Sequence, residues 1–165
     1  MAIDTKKVFL YQGHLYVSKE KTNVITILGS CVSVCLCDRE KEIGGINHYM
    51  LPRYNAKNKN QALQYGDIAI KKLLEKMMNN GSSLEKIKAK VFGGGYVIGD
   101  PNKDNFFNVG RQNIEIAFKI LKKLKIPVIA SDVGGYAGRK LVFDTSSSKA
   151  FVKKLDSIDK LGDKN

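Results

Sequence analysis

Three cysteines in 165 residues are too few, and odd in number, for a disulfide framework. They crowd at positions 31, 35 and 37, which leaves reduced thiols and a cytoplasmic address as the expectation. Long apolar runs are missing. No stretch approaches the roughly 20 apolar residues that cross a bilayer, so membrane insertion is not expected. The N-terminal "MAIDTKKVFLYQGHLYV" has no long apolar run after a basic start, which argues against a signal peptide. Nucleotide-binding signatures are missing too. Glycines cluster at 93–95 and 134–135, but neither cluster continues into Gly-Lys-Ser/Thr or completes G-x-G-x-x-G. Acidic residues are scarce, 16 against 28 Lys and Arg, giving a formal net charge of +12. Such a balance suits solubility or a polyanionic partner. The lysines fall in separated pairs with no nucleic-acid motif and no aromatic stacking pattern, so nucleic acid is not an expected partner.

What remains is an ordinary globular composition, 43% hydrophobic and 27% charged, in a length that suggests one domain over residues 1–165. A domain of this size buries a full core without staples. Residues 24–28 are apolar and β-branched, a strand signal. Val32, Val34 and Leu36 then alternate with Ser33, Cys35 and Cys37, a period of two that predicts a strand lining the core on one side. A short helix starting at Cys31 is the competing reading. After a charged turn at 38–41, residues 43–50 return as the second strand of a hairpin. Residues 52–66 are polar and aperiodic and read as a mobile surface loop. Apolar residues from 68 to 78 recur at helical spacing, as do those from 114 to 124. Strands ending at Val91-Phe92 and starting at Pro127 each run into a glycine turn, and this helix–strand–glycine pattern occurs twice. A loop at 97–108, a closing hairpin over 141–143 and 151–155, and a frayed tail from 156 complete the reading.

Four residues, Cys31, Cys35, Cys37 and His48, have the composition of a zinc site but not its spacing. On a strand, residues 31 and 35 stand roughly 13 Å apart at about 3.3 Å per residue. Thiolates that far apart cannot share an ion bound at about 2.3 Å. Cys35 and Cys37 read as buried core residues. Cys31 follows Gly29-Ser30, a pair able to turn tightly and present backbone N–H groups to an oxyanion. Nucleophile and packed core residue stand level for it on this ground alone. If the hairpin forms, it returns His48 toward Cys31, where an imidazole could draw off the thiol proton and lower its pKa. Thr26 is the best-placed hydroxyl to orient that ring. His14 has no such context. Gly94, Gly95 and Gly135 are candidates for close backbone approach to a substrate chain.

"LGSCVSVCLCD" followed by "GGINHYMLP" resembles the CheD family of chemoreceptor glutamine deamidases. "YGDIAIKKLLEKMMNNG", "KAKVFGGG", "VGRQNIEIAFKIL" and "ASDVGGYAGRKLVF" extend the likeness in the family's order over roughly residues 20–155. The resemblance implies an α/β (α+β) fold of mixed sheets covered by helices, a layered sandwich like that of toxin-type cysteine deamidases. It implies hydrolysis of glutamine side chains on the acidic, helical cytoplasmic region of methyl-accepting chemotaxis receptors, with no metal or organic cofactor. Cys31 matches the family nucleophile, His48 the general base, and Thr26 the threonine that precedes the cysteine. Gly29 and Ser30 would then supply the oxyanion donors. A CheC-type phosphatase is an implied partner, and a non-catalytic adaptor binding that phosphatase or a receptor is the alternative function.

Overall fold

The structure is a computed structural model that describes residues 4–55, 59–96 and 108–155. Nine strands and two α-helices run in the order β1 (Lys6–Phe9), β2 (His14–Ser18), β3 (Thr22–Leu28), β4 (Val32–Asp38), β5 (Ile43–His48), α1 (Gly66–Asn79), β6 (Lys88–Gly93), α2 (Val109–Lys123), β7 (Val128–Val133), β8 (Arg139–Asp144) and β9 (Ala150–Lys154), among the described residues. Two mixed sheets result. One has four strands in the order β1-β3-β8-β9, the other five in the order β2-β5-β4-β6-β7.

The sheets stack, and the two helices cover the free face of the five-stranded one. Strand β4 shows why. All seven of its residues are buried, so period two here does not separate core from solvent. Val32, Val34 and Leu36 pack toward Ile70, Leu73 and Met77 of α1 and Ala117 and Leu121 of α2. Cys35 and Cys37 pack on the opposite side with Val24, Leu28, Leu141 and Phe143 of the four-stranded sheet. The expectation of a strand lining one core thus becomes a central strand between two cores, and the helices cover one sheet rather than both. Cys35 and Cys37 are core residues, as their alternation predicts.

The predicted hairpins form. β4 pairs antiparallel with β5, and β8 with β9. Helix α1 exceeds its periodic stretch by a residue or two at each end, whereas α2 starts five residues before residue 114 and ends one short of residue 124. The Asn108 side chain accepts from Arg111 N at 3.0 Å and so starts α2, and Lys122 and Lys123 in the last turn complement its dipole. β6 and β7 are parallel neighbours joined through α2, and their ends are tied by Gly134 N to Gly93 O at 2.9 Å. The repeated helix–strand–glycine pattern is therefore two adjacent units whose glycine turns meet.

Two expectations change. The stretch read as a mobile loop over 52–66 contains a 3-10 turn, Lys59–Gln64, and the buried Tyr65. Strand β1, short and largely exposed, and strand β2, five residues part-buried on both faces, carry no clear period and were not legible as elements. Of the loop expected at 97–108, Asn108 caps α2 and the rest lies outside the described residues, as does the frayed tail expected from 156.

Candidate active site

Cys31 sits in the three-residue turn between β3 and β4, and His48 ends β5. The register places them. Val32 and Tyr49 exchange both backbone hydrogen bonds, Val32 N to Tyr49 O at 3.1 Å and Tyr49 N to Val32 O at 3.0 Å. Residue 31 is thus opposite 50 and residue 48 opposite 33. Cys31 and His48 become diagonal neighbours on one face of the ladder, where Cβ atoms stand about 7–8 Å apart or less. The hairpin thus returns residue 48 toward residue 31 in register, with no hydrogen bond between the two side chains.

Thr26 reaches the same place from the other sheet. Thr22, Val24, Thr26 and Leu28 alternate inward along β3, so Thr26 faces the five-stranded sheet and is fully buried. Its Oγ1 lies 2.7 Å from His48 Nδ1 and 2.8 Å from the Leu10 carbonyl oxygen. One arrangement satisfies all three atoms: the hydroxyl donates to Leu10 O, and Nδ1–H donates to Thr26 Oγ1. The ring proton is thereby assigned to Nδ1, and Nε2 carries the lone pair. That nitrogen is buried and has no hydrogen-bond partner among the described residues, the Cys31 thiol included.

Both titrating groups are neutral at rest. Burial pushes the Cys31 thiol up to about 11, opposed only by its own backbone amide. Burial also holds His48 down, to about 4, against the Leu10 carbonyl. The sequence reading expected an imidazole to lower the thiol pKa; desolvation reverses the direction, because both groups lie under the sandwich rather than at its surface.

The turn that carries Cys31 is pinned through its carbonyls. Gly29 O accepts from Gly95 N at 2.9 Å, Ser30 O from Asn113 Nδ2 at 3.0 Å, and Cys31 O from Gly94 N at 2.8 Å. The amides of Gly29 and Ser30 donate to no acceptor among the described residues. A turn with its carbonyls bound on one side and amides unengaged is suited to binding an oxyanion.

The glycines divide accordingly. Gly94 and Gly95 are buried and their amides hold the turn, so they shape the Cys31 backbone instead of lining an open groove. Gly93 has φ of +106°, and a Cβ on it would stand 2.3 Å from Cys31 O. Gly135 is exposed at the end of β7 and its carbonyl accepts from Tyr96 N at 2.8 Å. Beneath these turns the buried Arg139 guanidinium ties Asp132 (Nε to Oδ1, 3.0 Å) to Gly134 O (2.7 Å) and Gly93 O (3.4 Å).

A pocket of about 490 Å³ is lined by Phe9, Leu10, Tyr11, Gln12, Thr26, Ile27 and His48; Cys31 is not part of its wall, and His48 Nε2 itself is buried. Leu10 and the turn after it were not singled out from sequence, since an apolar residue beside a short strand carries no chemical signal. Asn113 was missed for a different reason: one asparagine on a helix looks like surface until the helix is docked.

The profile of the family described as CheD chemotactic sensory transduction matches residues 50–154. A protein of Anaeromyxobacter dehalogenans named "Probable chemoreceptor glutamine deamidase CheD 1" is 38% identical over 149 residues, 90% of this chain and 85% of that protein. Proteins named "Probable chemoreceptor glutamine deamidase CheD" are 39% identical in Sulfurimonas denitrificans (92% of this chain, 96% of that one) and 36% identical in Clostridium botulinum (92% and 94%). A solved Neisseria meningitidis structure of the DUF152 family is 12% identical, with a TM-score of 0.43 over 79% of this chain and 63% of that one.

Proposed function

The chain belongs to the CheD family, and from that premise we propose that it is a chemoreceptor glutamine deamidase working by thiol catalysis in the cytoplasm, with Cys31 as nucleophile, His48 as general base and acid, and Thr26 as the group that orients His48. The observation that supports the assignment is the 2.7 Å contact of Thr26 Oγ1 with His48 Nδ1, which leaves the lone pair on Nε2.

The neutral resting pair sets the order of events. A glutamine side chain enters, and the Cys31 thiol turns toward Nε2; catalytic hydrogen bonds commonly tighten only when substrate is bound. The S–H proton passes to Nε2 as sulfur attacks the amide carbon, forming a C–S bond and pushing the carbonyl electrons onto oxygen. The amides of Gly29 and Ser30 receive that oxyanion; one such donor is worth about 10²-fold or more in rate. The imidazolium, steadied through Nδ1–H by Thr26, protonates the nitrogen. The C–N bond breaks and ammonia departs. Water then gives a proton to Nε2 and attacks the thioester, and collapse releases glutamate while the proton returns to sulfur. A neutral thiol inside the protein is thus converted to a nucleophile only when its proton has somewhere useful to go.

The positive charge is suited to attracting acidic receptor segments. Incubation with chemoreceptor fragments, read as ammonia release and as the mass change from amide to acid, tests the proposal. Cys31→Ala is expected to abolish both signals, and His48→Ala to reduce them nearly to background. A CheC-type phosphatase is the further partner we propose, read by pull-down. A Cys31→Ala protein that kept its full effect in cells would favour the adaptor instead.

A further inference from the structure

Beyond the Val32–Tyr49 pair the two strands of the site part. Continued pairing would join Ser30 to Leu51, but the amides of Met50 and Leu51 both donate to Gln64 O, at 2.8 and 3.0 Å. The carbonyls of Ser30 and Met50 are left facing the fork. Asn113 fills it. This residue of α2 is fully buried, and its Nδ2 donates to Ser30 O at 3.0 Å and to Met50 O at 2.9 Å. The helix is fastened at the same point, because Tyr49 Oη donates to the Asn113 carbonyl at 2.6 Å.

We propose that Asn113 is a positioning residue for the reaction: it spans the fork and sets the spacing between the turn that carries Cys31 and the strand that carries His48. The proposal rests on Cys31 and His48 being nucleophile and base. Ser30 directly precedes Cys31, and Met50 lies two residues past His48, so one amide nitrogen holds both sides of the pair. The chemistry of the fork specifies the side chain. Two carbonyl oxygens converge, and only a nitrogen with two protons serves both; a hydroxyl offers one proton and a carboxylate none. The Asn113 Oδ1 is meanwhile buried with no partner among the described residues. The same amide links the oxyanion turn to the helix, so a shift of α2 moves Ser30 and Met50 together.

The test is a double-mutant cycle on acylation. A nitrophenyl ester of a blocked glutamate side chain has a leaving group that needs no protonation, which keeps acylation measurable without His48. Asn113→Ala is expected to lower kcat about 10²-fold, the scale of a 1 Å misplacement, with KM little changed. In a His48→Ala background the same change should cost less than about threefold, because there is no base left to misplace. Asn113→Ser, which keeps a single donor, should fall between wild type and alanine. Equal losses in both backgrounds would mean that Asn113 supports the fold without acting through His48, and the proposal would be wrong. It would also be wrong if Asn113→Ala and Asn113→Ser both failed to fold. Receptor-fragment deamidation by the Cys31→Ala and His48→Ala single variants separates this from failure of the catalytic reading, since activity there would remove nucleophile and base whatever Asn113 does.

Discussion

Cys31 should react with an alkylating reagent as a buried, neutral thiol and not as a poised thiolate. The perturbation is pH, from 6 upward, with iodoacetamide as reagent and peptide mapping to separate Cys31 from the fully buried Cys35 and Cys37. Burial moves the Cys31 thiol from an ordinary 9.0 to about 11. Each pKa unit is a tenfold change in thiolate at neutral pH, so Cys31 carries about 10²-fold less thiolate at pH 7 than a free thiol. Its alkylation rate should climb roughly tenfold per pH unit and level off only near 11. His48 is held down to about 4, so it is neutral across this range and has no charge with which to stabilise the thiolate. His48→Ala should therefore leave the shape of the curve unchanged. The shape decides, not the absolute rate, because Cys31 is only 8% exposed and access alone slows the reagent. An early plateau, with fast alkylation at pH 6 that His48→Ala abolishes, would establish a thiolate–imidazolium pair and refute the neutral resting state.

Three further outcomes follow from the same geometry. Thr26→Val removes the acceptor of Nδ1–H with little change of volume and should lower kcat by roughly 10- to 10²-fold, the lower range of general acid–base effects, whereas Thr26→Ser should stay near wild type; steady-state deamidation kinetics read both. Gly93→Ala places a Cβ 2.3 Å from the Cys31 carbonyl at a φ of +106°, and should cost about 2 kcal/mol or more by urea unfolding as well as most of the activity. Stability should fall as pH drops from 6.5 toward 4: the unfolded His48 binds a proton below its ordinary 6.5, whereas the folded ring resists until about 4. Urea midpoints at pH 7 and 4.5 measure this loss, and His48→Gln should reduce it.

The strand that follows Cys31 and the strand that carries His48 were legible because their signals are local. β-branched alternation predicts β4, the charged turn predicts the hairpin, and the hairpin predicts that residue 48 returns toward residue 31. Helical spacing of Leu73, Leu74 and Met77, and of Ala117, Leu121 and their neighbours, was equally plain. β1 stayed hidden because a four-residue, largely exposed strand has no buried side to impose a period, and β2 because Leu15 and Val17 pack on one core and Tyr16 on the other, so its five residues show no polar–apolar alternation. The glycines misled in a regular way. A Gly-Gly-Gly run announces close approach but not of what, and at Gly94 and Gly95 the neighbour is the chain itself.

The sequence by itself determined the family and the two-strand frame that carries the candidate pair Cys31 and His48, since each depends on residue type and near-neighbour spacing. Tertiary structure decided the rest. Thr26 meets His48 only because one sheet stacks on another, Asn113 enters the fork only once α2 is docked, and both proton affinities follow from how much water the stacked layers exclude. Burial and contacts between distant segments are properties of the assembled layers, and no short stretch of chain carries them.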